Sequence, residues 1–166
     1  MILRQHFGMA FLKIDLNKKT IINIDETWIG MSDFRRWKWT YPGRPNSVPK
    51  KNVLPRISMV VGIDTGGNVI LSLYQVNSNS QVMELFFGSF IKMMDEKKPG
   101  WRKDTVLMMD NAAYHTSSTM MKFYEDHQLP ILFTGPHSYA ASPVELFFAH
   151  FKKQDINPRK LPTGKK

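Results

Sequence analysis

The sequence predicts an α/β fold, a mixed sheet of three antiparallel strands followed by β-α alternation and flanked by helices. Three observations lead there. Runs rich in Ile, Val and Leu come early, at "TIINID", "RISMVVGID" and "NVILSLYQV". Later, helical patterns alternate with short apolar runs. Hydrophobic residues make up 42% of the 166 positions, enough for one domain with a substantial core. Meandering strands followed by such alternation place helices on the faces of a single sheet.

The first run reads as a buried strand because Ile21, Ile22 and Ile24 crowd it, and it ends on Asp25. "DTGGN", from Asp64 to Asn68, separates the second and third runs and signals a hairpin, since glycine supplies positive φ. A helix follows with Ser78 or Ser80 as N-cap and Val82, Leu85, Phe86, Phe90 and Met93 on one face. Pro99-Gly100 ends it. "DTVLMMDN" is another apolar strand closing on an acid, "SSTMMKFYEDHQ" a helix, and "LPILFTG" a short strand. "SPVELFFAHFKK" reads as the last helix, with Ser142 at N-cap and Pro143 at N1. Met108, Met109, Met120, Met121 and Trp28 read as packing residues.

Residues 1–18 read as a lead-in, 19–154 as the domain and 155–166 as a basic tail. Residues 29–55 interrupt the pattern as an inserted arm between the first two strands. From Met31 to Arg56 seven cations (Arg35, Arg36, Lys38, Arg44, Lys50, Lys51 and Arg56) face one acid, Asp33. Phe34, Trp37, Trp39 and Tyr41 are interleaved with them. A loop of that length is either functional or disordered, and its aromatics favour a projecting, partly ordered arm. From Phe151 onward the chain adds Lys152, Lys153, Arg159, Lys160, Lys165 and Lys166, and its net charge is +9. Such clustering suggests a polyanion, with phosphates the obvious partner. A solvated basic surface with no specific partner fits the composition equally. Cysteine is absent, which excludes disulfides and thiolate chemistry and restricts any metal to oxygen or imidazole ligands. No run approaches a membrane span and the N-terminus lacks a cleavage pattern, so an intracellular protein is the simplest reading.

Asp25 and Asp110 each end a strand, and Glu145 lies in the first turn of the last helix. In a mixed sheet the first and fourth strands can lie side by side, which would bring the two Asp residues together, and a helix across that edge could add Glu145. Converging carboxylates repel, and divalent cations remove the penalty. Mg²⁺ suits a few carboxylates plus phosphate oxygens, and two such ions serve phosphodiester chemistry. Taken singly, each acid also fits a structural role as turn former, helix cap or partner of the helix dipole. Glu26, next along the strand from Asp25, should point to the opposite face, which excludes it from the site. His115 fits a place near the scissile phosphate, an orienting partner of a ligand, a cap or a surface position. Asn111 fits either a hydrogen bond to a metal-bound water or a helix cap.

"IINIDETWI", "VLMMDNAAYH" and "SPVELFFAHFKK" together resemble the three catalytic blocks of mariner-type transposases (Tc/mariner and related bacterial insertion-sequence enzymes), members of the DDE superfamily. The resemblance covers about Lys19 to Lys153. It implies a ribonuclease H-like fold and a catalytic triad of Asp25, Asp110 and Glu145 that binds two Mg²⁺ ions, with Mn²⁺ able to substitute. Between Asp110 and Glu145 lie 34 residues, the spacing of the branch that ends in Glu. The implied function is metal-dependent hydrolysis of DNA phosphodiesters and strand transfer in cut-and-paste transposition. The implied partners are double-stranded DNA with a TA target and a second copy of the chain in a homodimer. The arm would reach DNA or the partner subunit through Arg35, Arg36, Trp37, Lys38, Trp39, Arg44, Lys50 and Lys51, with Asn111 and His115 supporting the site. The enzyme would act in the nucleus of a eukaryote or in the cytoplasm and nucleoid of a bacterium. Two departures leave the ligands intact: Ser142 replaces the usual Asn before Pro143, and Phe148 stands where Trp is common. The family's paired helix-turn-helix modules have no counterpart in the lead-in, so the chain reads as a catalytic domain. Two rivals are a transposase-derived nuclease that excises host DNA, and an inactive DNA-binding or dimerisation module. The intact triad argues against the latter.

Overall fold

The computed structural model describes residues 2–14, 18–29, 41–43, 57–135 and 142–153. Strands β1 (Thr20–Ile29), β2 (Ile57–Asp64), β3 (Val69–Tyr74), β4 (Thr105–Met109) and β5 (Ile131–Phe133) form one sheet, ordered β3-β2-β1-β4-β5. Helices α1 (Ile2–Leu12), α2 (Ser80–Lys97), α3 (Ser118–Asp126) and α4 (Pro143–Lys153) pack around it. β1, β2 and β3 pair antiparallel, whereas β1–β4 and β4–β5 are parallel, which is the mixed sheet that was predicted. Parallel neighbours need a crossover, and α2 and α3 provide those into β4 and β5.

The β2–β3 hairpin closes as its sequence requires. Both carboxylate oxygens of Asp64 accept from Asn68, one from its backbone N and one from Nδ2, each at 2.8 Å. Gly67 takes φ 82°, where a side chain would be strained.

Strand alternation divides the core between two faces. On one, Ile22, Ile24, Val60, Leu107 and Met109 meet α2 and α3. α2 buries Val82, Met83, Phe86, Phe87 and Phe90, one continuous helical stripe. Leu85, predicted for that face, falls outside the stripe and is 61% exposed. The N-cap is Asn79 rather than either flanking serine, its Oδ1 accepting from Val82 N at 3.0 Å. Of the four methionines read as packing, Met121 is exposed and the other three are buried.

On the opposite face, Val144 and Phe148 of α4 pack on Ile29, Met59 and Val61. The lead-in is more than a linker. Residues 2–12 form α1, and Phe7, Phe11 and Ile14 pack against Ile21, Val106 and Met108. Its weak periodicity hid this, because the helix is stabilised by the sheet rather than by its own propensity. Ser142 does not cap α4 through its side chain. Its hydroxyl donates to Asn23 Oδ1 at 3.1 Å, and the same oxygen accepts from Val144 N at 3.0 Å. Among the described residues, no helix is long and apolar enough to cross a membrane.

Candidate active site

β1 reaches four residues past Asp25, further than predicted, because β2 pairs with it as far as Ile29. The parallel pairing with β4 stops earlier, at Asn23–Met108. Asp25 therefore sits where β1 outruns its neighbour, and a cleft of about 300 Å³ opens there. Asp25, Asp110 and Glu145 all line it, delivered by β1, by the residue after β4 and by the first turn of α4. The sequence-predicted convergence of these elements is what the sheet order produces.

Burial, followed by the negative charge of Glu26, pushes the Asp25 carboxyl up from 3.8 to about 7; Asp110 and Glu145 add to the rise and the Glu26 amide opposes it. A half-buried acid whose own charged neighbours are acids is the electrostatic situation that a divalent ion relieves. The donors are all carboxylate oxygens, the ligand chemistry of Mg²⁺ or Mn²⁺. Among the described residues no three His, Asp or Glu side chains are gathered closely enough to enclose an ion as they stand.

His115 is neither a cap nor a surface residue. It has no exposed side-chain area, and its Nδ1 lies 2.8 Å from Asp110 Oδ1. Its Nε2 lies 3.2 Å from Glu26 Oε2, an ion-pair contact not aligned as a hydrogen bond. Burial alone would lower the imidazole, but the Asp110 and Glu26 carboxylates outweigh it and raise His115 from 6.5 to about 10. The charged ring in turn holds the Asp110 carboxyl below the usual carboxylate range. Asp110 Oδ1 also accepts from Ala112 N at 3.0 Å, an Asx turn that sets the side chain at the cleft mouth.

Glu26, excluded from the site on strand alternation, lines the same cleft as Asp25 and is the buried counter-charge of His115. Asn111 caps no helix, since Ser117 accepts from Met120 N at the start of α3. Its Nδ2 instead donates to the Thr134 carbonyl and ties the ends of β4 and β5 together. Trp28 is not core packing. It is 47% exposed, lines the cleft, and donates from Nε1 to Ser78 Oγ at 3.2 Å. Tyr114 and Thr27 complete the wall, and Lys152 Nζ donates to Thr27 Oγ1 at 2.7 Å. Sequence reasoning missed Glu26 and Trp28 as neighbours of the site. Their adjacency to Asp25 on one strand was the available signal. Arg35, Arg36, Trp37, Lys38, Trp39, Arg44, Lys50 and Lys51 lie outside the described residues.

Comparison with known proteins bears on the family and the fold. Residues 20–166 match the family model of the DDE superfamily endonucleases. Among curated proteins, no sequence matches the chain. Among solved structures, the Mos1 transposase paired-end complex with left transposon end matches at 20% identity and TM-score 0.61, covering 89% of this chain and 45% of that one. The Mos1 mariner paired-end complex with Mn matches at 20% identity and TM-score 0.61, covering 89% and 46%. The Mos1 transposase catalytic domain with raltegravir and Mg matches at 17% identity and TM-score 0.61, covering 94% and 70%. The chain thus spans about half the length of the transposases in those paired-end complexes, and it shares the ribonuclease H-like fold of their catalytic domain. With the family model covering nearly all of the chain from β1 onward, the protein belongs to the DDE superfamily of endonucleases.

Proposed function

We propose that this chain is the catalytic domain of a mariner-type transposase, which cleaves DNA at element ends and joins the freed 3′-hydroxyl to a target duplex. The observation that carries the reading is the placement of Asp25, Asp110 and Glu145 along one cleft from three separate elements. These carboxylates would hold two Mg²⁺ ions, and Mn²⁺ would substitute, in keeping with the Mg- and Mn-containing Mos1 structures. Divalent ions, when bound, supply the positive charge that activates the attacking oxygen and stabilises the leaving one. The protein's part is placement. Asp25 is held on a strand paired along both edges up to Asn23, Asp110 is clamped by His115, and Glu145 rides on a helix packed over β1 and β2. Double-stranded DNA as partner, a TA target and a dimer bridging two ends complete the proposal. The basic arm at 29–55 supplies phosphate contacts.

Asp25→Asn, Asp110→Asn and Glu145→Gln test it, each keeping shape while removing a ligand charge. We expect each variant to keep its circular dichroism spectrum, to bind Mn²⁺ at least about tenfold more weakly, and to lose cleavage of element-end DNA. Wild-type Mn²⁺ affinity and cleavage in any one folded variant would remove that residue from the site.

A further inference from the structure

β1 carries a single amide among its buried aliphatic residues. Asn23 is only 3% exposed, and a buried carboxamide is tolerated only when its polar atoms are paired. Here its Nδ2 donates to Met108 O at 3.3 Å, and its Oδ1 accepts from Ser142 Oγ at 3.1 Å and from Val144 N at 3.0 Å. One side chain on β1 therefore bonds to β4 and to α4 at once. The bonded atoms lie close in sequence to the acids. Met108 is two residues before Asp110, Val144 is one before Glu145, and Asn23 is two before Asp25 on the same strand face.

We propose that Asn23 is a positioning residue for the carboxylate site, setting where Glu145 and Asp110 stand relative to Asp25. The inference rests on the metal-site reading above. α4 begins with Pro143, which has no N–H, and the hydroxyl of Ser142 is already committed as a donor to Asn23. The first available helix amide, Val144 N, thus takes its cap from another element of the sheet. A cap within the helix's own sequence would satisfy that amide but leave α4 free to shift over β1. A cap supplied by β1 satisfies it and also sets the helix in register with Asp25.

The test uses Asn23→Leu, close in volume and unable to make any of the three bonds. In metal-free protein, amide hydrogen exchange should accelerate in the peptide spanning 142–148 and stay unchanged in α2. Titration calorimetry should show Mn²⁺ binding weakened about tenfold to a hundredfold, the usual effect of losing a group that orients ligands. Adding Ser142→Asn gives α4 a cap of its own. Slow exchange should then return while Mn²⁺ affinity stays low. Recovery of affinity with the local cap would make Asn23 an ordinary helix cap and overturn the proposal, as would Asn23→Leu with exchange and affinity at wild-type values. Glu145→Gln separates this from the underlying reading: if it leaves Mn²⁺ affinity unchanged, the metal site itself is wrong. If Asn23→Leu does not fold, Asn23→Ser, whose hydroxyl is too short to span the same partners, is read in the same way.

Discussion

At the scale of single residues, His115 shows how a site of like charges is kept intact. Its two nitrogens face two carboxylates that both line the cleft, so a buried positive charge separates Asp110 from Glu26. His115→Ala would leave the Glu26 carboxylate, 6% exposed, without its counter-charge. Breaking a buried pair from one side costs about 3–5 kcal/mol, and urea unfolding should show a loss of that order. A loss under about 1 kcal/mol would mean that Glu26 is satisfied elsewhere. The titrations of Asp25 and His115 both shift upward, so both groups hold protons more tightly folded than unfolded. For Asp25, the associated stability is complete below about 3.8 and is lost as pH rises to about 7. For His115 it is complete below 6.5 and is lost by about 10. The melting temperature of Asp25→Asn, measured in chelator, should therefore gain on the wild type between pH 4 and 7 and then run parallel to it. A constant difference across that window would mean that Asp25 titrates normally.

At the scale of elements, packing outweighs capping. α2 is started by the Asn79 side chain, which satisfies one of its free amides. Asn79→Ala should cost about 1 kcal/mol. Phe87 has no exposed surface and meets the rings of Phe86, Phe90, Phe123 and Tyr124 across two helices. Phe87→Ala should cost about 3–5 kcal/mol. Denaturant midpoints of the two variants compared side by side check the order, and an equal loss would place the weight on the cap instead.

At the scale of the whole molecule, the sheet commits the apolar faces of α2, α3 and α4 to the core. In the proposed reading, the cations of the inserted arm and the tail grip a phosphate backbone. Replacing Arg35, Arg36 and Lys38 together with Ala should weaken DNA binding and flatten its dependence on salt, because fewer counterions are released. An unchanged slope of affinity against salt would assign the arm to protein contacts, and dimerisation would then be the property to measure.

The order of elements and the three acids could be read directly from the sequence, because both are written locally. Burial on one side of a strand or helix imposes a period of two or 3.6 residues, and each acid sits at a recognisable junction. α1 escaped that reading, since its helix depends on Ile21, Val106 and Met108 rather than on its own pattern. So did the parts played by Glu26 and Asn23. A lone Asn within "IINID" announces only that its amide must be paired once buried. Which atoms pair with it is decided across 85 residues to Met108 and 121 to Val144. Glu26 meets His115 in the same way, through the parallel alignment of β1 with β4. Sequence periodicity records which side of an element is buried, whereas the partner of a buried polar group is chosen by the packing of distant elements.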